Sequence, residues 1–181
     1  MMYQKIIVLV LGFGCLSITV SAQKFNTEKT FVSFYSHAAI EDITAENTKT
    51  VGIFNSATSD IAFSVPIKEY EFAKSLMKEH FNEKYMETEK YPKSTFQGKV
   101  TGYDPNATGL QEVTSKGKLT IHGETKEVDI PGTIEKQGDK LIMKAKFIVK
   151  LEDYKIAIPQ LLWQNIAEQV EVTVDFTFKP Q

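Results

Sequence analysis

The stretch VEVTVDFTF near the C-terminus places Val170, Val172, Val174, Phe176 and Phe178 on one side and Glu171, Thr173, Asp175 and Thr177 on the other. Such strict alternation marks a strand with one apolar and one wet face, and it excludes a helix, whose apolar positions recur every three or four residues. KLIMKAKFIVK repeats the pattern, with Leu141, Met143, Ala145, Phe147 and Val149 set against Lys144, Lys146 and Lys150. Further strands are expected over residues 30–37, 51–55, 61–67, 94–103, 112–121 and 126–135, with a polar-punctuated one around 40–47. Turn signals at Asn55-Ser56, Asp104-Pro105-Asn106, His122-Gly123 and Gln137-Gly138-Asp139 separate them. The expected fold is therefore all-β with one helix: an antiparallel barrel of about eight strands, a count that can enclose one small ligand. Closure also removes the exposed edges that so many strands would otherwise create.

One segment departs from alternation. In EYEFAKSLMKEHFNEKYM, Phe72, Leu76 and Phe81 lie near helical spacing, which predicts a helix over 71–81. Tyr91-Pro92 then returns the chain to extended backbone, because the residue before proline avoids the α region. A second short helical or irregular piece is expected at 160–166, around the only tryptophan, Trp163.

The N-terminus reads as a targeting segment. Lys5 precedes an apolar run from Ile6 to Val20 and then Val20-Ser21-Ala22, the layout of a signal peptide over residues 1–22 cleaved after Ala22. The run falls short of the ~20 apolar residues of a membrane span. Periplasmic or secreted localisation is the expectation, with one domain over residues 23–181. The only cysteine, Cys15, sits inside the leader, so the mature chain has neither a disulfide nor a thiol nucleophile. All 21 basic residues are lysine, and the formal net charge is −2. Without arginine, the preferred fork for phosphate and guanine, a nucleic-acid partner is not expected.

Three histidines carry the remaining chemistry. His80 and Glu83 are three apart and would share a helix face, which opens an enzyme reading with His80 and a nearby carboxylate; capping or a surface pair is the simpler use. His37 reads as a strand-end residue. His122 follows the inward Leu119 and Ile121, so parity turns it outward beside Gly123, without an obvious partner. No Gly-x-Ser-x-Gly elbow or glycine-rich phosphate cradle occurs in the mature chain. No catalytic set, metal or cofactor is assigned. The positive signal is inward apolar surface: Phe31, Ile53, Phe63, Phe72, Leu76, Phe96, Met143, Phe147 and Phe176. Periodicity alone does not separate a packed core from a ligand tunnel.

GKLTIHGETKEVDIPG resembles the G-x-L-T-[IL]-x-G-x-T-K-x-V pattern of the YceI-like family. EHFNEKYMETEKYPKSTFQGKV resembles that family's helix leading to K-Y-P and a strand, and AKFIVKLEDYKIAIP its strand followed by D-[FY]-x-I. KFNTEKTFVSFYSHA fits its first strand. The likeness spans nearly the whole mature chain and is closest to a variant of secreted proteins in Bacteroidetes-type bacteria. Two departures stand out: an altered region from Ile40 to Phe54, and His122-Gly123 where Asn-Gly is usual.

The resemblance implies a lipocalin-like barrel that holds a long-chain isoprenoid or other lipid, with a homodimer as one available assembly. It turns the inward positions above into tunnel-lining candidates, with Trp163 at the rim and Ser33, Tyr35 or Tyr85 meeting a head group. The expected function is a lipid carrier or scavenger. An enzyme using His80, and a fully packed barrel without ligand, are the two other readings.

Overall fold

The computed structural model describes residues 23–37, 42–158 and 167–181. Among them the strands are β1 (Lys24–Ser36), β2 (Ile43–Asn47), β3 (Val51–Asn55), β4 (Asp60–Pro66), β5 (Glu71–Phe72), β6 (Lys93–Thr101), β7 (Leu110–Ile121), β8 (Glu124–Gln137), β9 (Lys140–Lys150) and β10 (Gln169–Pro180). They hydrogen-bond in the order β10-β9-β8-β7-β6-β4-β3-β1, and β10 also pairs with β1, so the antiparallel sheet closes on itself. The barrel has eight staves because β2 and β3 are halves of one. Val32 faces Asn47 and Asn26 faces Ile53, a single register carried across a break at residues 48–50. Asn47 secures that break. It is fully buried, its amide donates to the Pro66 carbonyl at 2.8 Å, and its Oδ1 accepts the Lys49 N–H at 2.9 Å.

Two glycines of the GKLTIHG stretch have separate physical reasons. Gly117 faces Gly98 across the β6–β7 ladder, and a Cβ on Gly117 would lie 2.3 Å from the Gln97 carbonyl oxygen. The strands coil together so closely there that a side chain does not fit. Gly123 and His122 are the two central residues of the β7–β8 hairpin, at φ of 78° and 50°. Positive φ at both positions is what a type I′ turn requires.

The core runs down the barrel axis. At the end away from the helix, Phe25, Phe54, Ile134, Leu141 and Phe178 are almost wholly buried. Their rings form a chain: Phe25 lies 6.4 Å from Phe54, Phe54 6.4 Å from Phe178, and Phe178 6.1 Å from Phe176. That half of the barrel is filled. At the other end β8 pairs with β9 only from Gly132 onward. A 3₁₀ turn at Glu152–Tyr154 adjoins both strands, and Leu151, Tyr154 and Ile156 are buried there.

Several expectations need correction. The helix is shorter and later than 71–81: α1 spans Ser75–His80 and runs into a π-helical turn at Phe81–Tyr85, while Phe72 sits on the two-residue strand β5. Leu76 is exposed, because α1 turns Met77 and His80, not Leu76, toward the barrel. Phe31 points to the wet face, opposite Asp175, while its neighbour Val32 lies opposite Val174 inside. The TFVSFYS stretch has apolar residues at both parities, and a register shift between Thr27 and Lys29 sets which face is inward. Ile53 is likewise exposed; in VGIF the inward parity belongs to Phe54, 1 % exposed, whose larger ring gains more from burial.

Candidate functional site

The interior of the barrel's helix end is open. A cavity of about 320 Å³ lies between the strand ends and α1. Its walls come from alternate residues of several strands: Val32 and Phe34 of β1, Phe63 and Val65 of β4, Leu119 and Ile121 of β7, Phe147 and Val149 of β9, and Val170, Val172 and Val174 of β10. Every one is an inward position of a strand that alternates, so one period-two pattern builds both the filled half and the open half.

Aromatic rings flank the cavity above and below. Below, Phe63 stacks on Phe96 at 5.2 Å and meets Phe176 edge-on at 5.5 Å. Above, Phe81 packs against Phe34, Phe72 and Tyr70 at 5.5, 5.0 and 5.6 Å. Such ring pairs contribute roughly 0.5–1.5 kcal/mol each beyond their area burial, so both ends are firm surfaces.

The polar groups on this surface are few: Ser36, Tyr70, His80, Tyr85, Ser94 and Thr95. The Ser36 hydroxyl accepts the Ala167 N–H at 3.3 Å. Burial pushes the phenols of Tyr70 and Tyr85 up from the usual tyrosine range, which keeps both as hydrogen-bond donors. No carboxylate and no lysine lines the cavity among the described residues. Among the described residues His80 reaches the wall without an acidic partner, and Glu83 lies exposed on the π-helical turn. No group of three histidine, cysteine, aspartate or glutamate side chains could hold a metal among the described residues.

The sequence-derived candidates therefore divide. Phe63, Phe72 and Phe147 line the cavity. Phe96, Met143 and Phe176 point inward but lie beneath it, in the packed half. Phe31, Ile53 and Leu76 take no part. Ser33 and Tyr35 share the outward parity of Phe31, and the Tyr35 hydroxyl donates to Asp42 at 2.6 Å outside the barrel; of the head-group candidates only Tyr85 reaches the cavity. Trp163 lies outside the described residues. Sequence reasoning missed Phe34, Tyr70, Met77 and Phe81. Phe34 was hidden by the double parity of its strand, Tyr70 follows a 3₁₀ turn, and Met77 and Phe81 lie on or beside a six-residue helix too short for its period to mark a direction.

His122 serves the cavity's edge by fixing the hairpin beside it. Its side chain is 9 % exposed. Nε2 donates to Glu87 at 2.9 Å, Nδ1 lies 3.2 Å from the Tyr154 carbonyl, and the ring meets Tyr91 edge-on at 4.5 Å. The expectation of an outward residue without partners is wrong, because strand parity ends at the first residue of the turn. These contacts hold the ring against the hairpin's neighbours, a positioning role beside the turn. Lys155 meets Glu124 at 2.8 Å on the same face, so the hairpin is tied to the segment after α1 and to the 3₁₀ turn.

Comparison with solved structures finds the same architecture. A polyisoprenoid-binding domain from Saccharophagus degradans, implicated in plant cell wall breakdown, superposes with a TM-score of 0.75 at 14% identity, covering 87% of this chain and 98% of that one. BcnA of Burkholderia cenocepacia gives 0.67 at 17% identity, over 82% and 95%. The Campylobacter jejuni YceI protein gives 0.62 at 15% identity, over 80% and 88%. A search of curated proteins finds no match. The sequence profile of the YceI-like domain matches residues 23–178, which is almost all of the barrel, and by that match the chain belongs to the YceI-like domain family.

Proposed function

We propose that this protein binds a lipid, a polyisoprenoid or related amphiphile, in the helix end of its barrel and serves as a carrier or scavenger. The observation that carries the reading is the cavity itself, a space of about 320 Å³ walled mainly by valine, leucine, isoleucine and phenylalanine. A chain leaving water for such a wall gains about 25 cal/mol per Å² of apolar surface buried. The polyisoprenoid-binding domain of Saccharophagus degradans, with the same fold, supports the choice of ligand class. The leader-like sequence at residues 1–22 supports work outside the cytoplasm, in the periplasm or beyond the cell.

Native mass spectrometry of the protein purified from its own host, followed by solvent extraction, tests this. A bound mass that releases a prenoid or acyl compound is the expected result, and Phe147→Glu should retain the fold by circular dichroism while losing that mass. A protein that stays free of ligand after incubation with host lipid extract would overturn the proposal.

A further inference from the structure

We infer that the ligand is a short, uncharged amphiphile, a chain of about a dozen carbons bearing a hydrogen-bond-accepting head, with a cavity of 320 Å³ set against a dry 150 Å³ cavity that takes one benzene. The inference rests on the lipid-binding reading above and narrows its ligand.

Length is limited by the floor. Val174 borders the cavity, but Phe176, two residues further along the same face, does not; Phe147 borders it, but Met143 does not. The stacked pair Phe63 and Phe96, with Phe176 against Phe63, stands across the axis at that level. Below it the barrel is packed with buried rings and leucine through to Phe54 and Phe178. On β10 the open part runs from Val170 to Val174, four residue steps, or ~13 Å at ~3.3 Å per residue before allowing for strand tilt. Volume and depth agree on a short chain.

Charge is limited by the wall. Tyr70, Tyr85 and His80 are its only ionisable groups among the described residues, and burial holds the two phenols protonated. The Tyr70 phenol borders the cavity on a ring that is only 7 % exposed. It offers a donor to a hydroxyl or carbonyl. An anionic head drawn to the same place would lie without a lysine or arginine, an arrangement that costs heavily in an apolar site.

The test is isothermal titration of delipidated protein with 1-octanol, 1-decanol, 1-dodecanol, 1-tetradecanol and 1-hexadecanol, and with dodecanoate. Affinity should rise about fourfold per added methylene, then level off near dodecanol, and dodecanoate should bind at least tenfold more weakly than dodecanol. Phe63→Ala should move the plateau to longer chains. Affinity that climbs steadily through hexadecanol in the unmodified protein would sink the length limit, and equal binding of dodecanoate would sink the uncharged head. Either result leaves the carrier reading standing; no binding of any alkanol overturns this inference, while incubation with host lipid extract decides the carrier reading separately.

Discussion

His122→Asn is the most informative single substitution, because two local arguments about it oppose each other. Asparagine is the residue a type I′ turn prefers, and it tolerates the left-handed backbone held at φ 50° better than histidine does. On turn chemistry alone the variant should be more stable, by some part of the ~1–2 kcal/mol that this conformation costs an ordinary residue. Against this stand three lost contacts. The Nε2–Glu87 pair is half exposed on the Glu87 side and contributes ~0.5–1 kcal/mol. The hydrogen bond to the Tyr154 carbonyl contributes ~1 kcal/mol. The edge contact with Tyr91 adds ~0.5–1 kcal/mol. The losses win by about 1 kcal/mol or slightly more, which corresponds to a Tm lower by roughly 2–5 °C for a domain of this size. Urea denaturation at pH 7 reads the difference directly, with Glu87→Gln and the double variant completing a cycle. If His122→Asn is as stable as the parent, or more so, the ring is a passenger of the turn and the tethering argument fails.

Other parts of the barrel give equally direct tests. Asn47→Ala should lower the urea-derived stability by about 2–3 kcal/mol, because it strands the Pro66 carbonyl and the Lys49 N–H at the β2–β3 break; a loss under 0.5 kcal/mol would mean that water replaces it freely. Gly117→Ala should be destabilising by roughly 1–3 kcal/mol or more, since its Cβ meets backbone on the facing strand and not a side chain that can swing away; a neutral outcome would show that the strands can part. Hydrogen bonds from Lys155, Lys99 and Lys140 hold the carboxyls of Glu124, Asp60 and Glu28 below their ordinary values. Their contribution is complete above the unfolded-state values near ~4 and is lost as pH falls through the lower folded-state values. The urea midpoint should therefore drop on the acid side of about pH 4, and Glu124→Gln should shrink that drop; an unchanged acid limb in the variant refutes the assignment.

Much of this architecture is legible in the chain. The inward faces of β9 and β10 are those of the bare alternation, because β10 has its apolar residues on one parity only and in β9 the lysines Lys144, Lys146 and Lys150 mark the outward parity despite Ile142 and Ile148. β1 and β3 misled for the opposite reason: TFVSFYS and VGIF offer apolar residues to both faces, and only the partner strand settles which is inside. The site was legible to the same extent. Phe63, Phe72 and Phe147 line the cavity, whereas Tyr70 comes from a turn and Met77 and Phe81 from a helical stretch too short for its period to stand out.

By itself the sequence determined that the chain is all-β with one helix, since period-two amphipathicity recurs over so many segments, and a closed barrel is one compact solution that hides its edges. The family pattern GKLTIHG was also local, because its glycines answer to a close strand approach and a turn with positive φ. Tertiary structure alone decided that the interior is half filled and half open. Inward phenylalanines look the same whether they meet one another across the axis, as Phe63, Phe96 and Phe176 do, or border empty space, as Phe147 does. That difference depends on the distance between facing strands, which no single strand encodes.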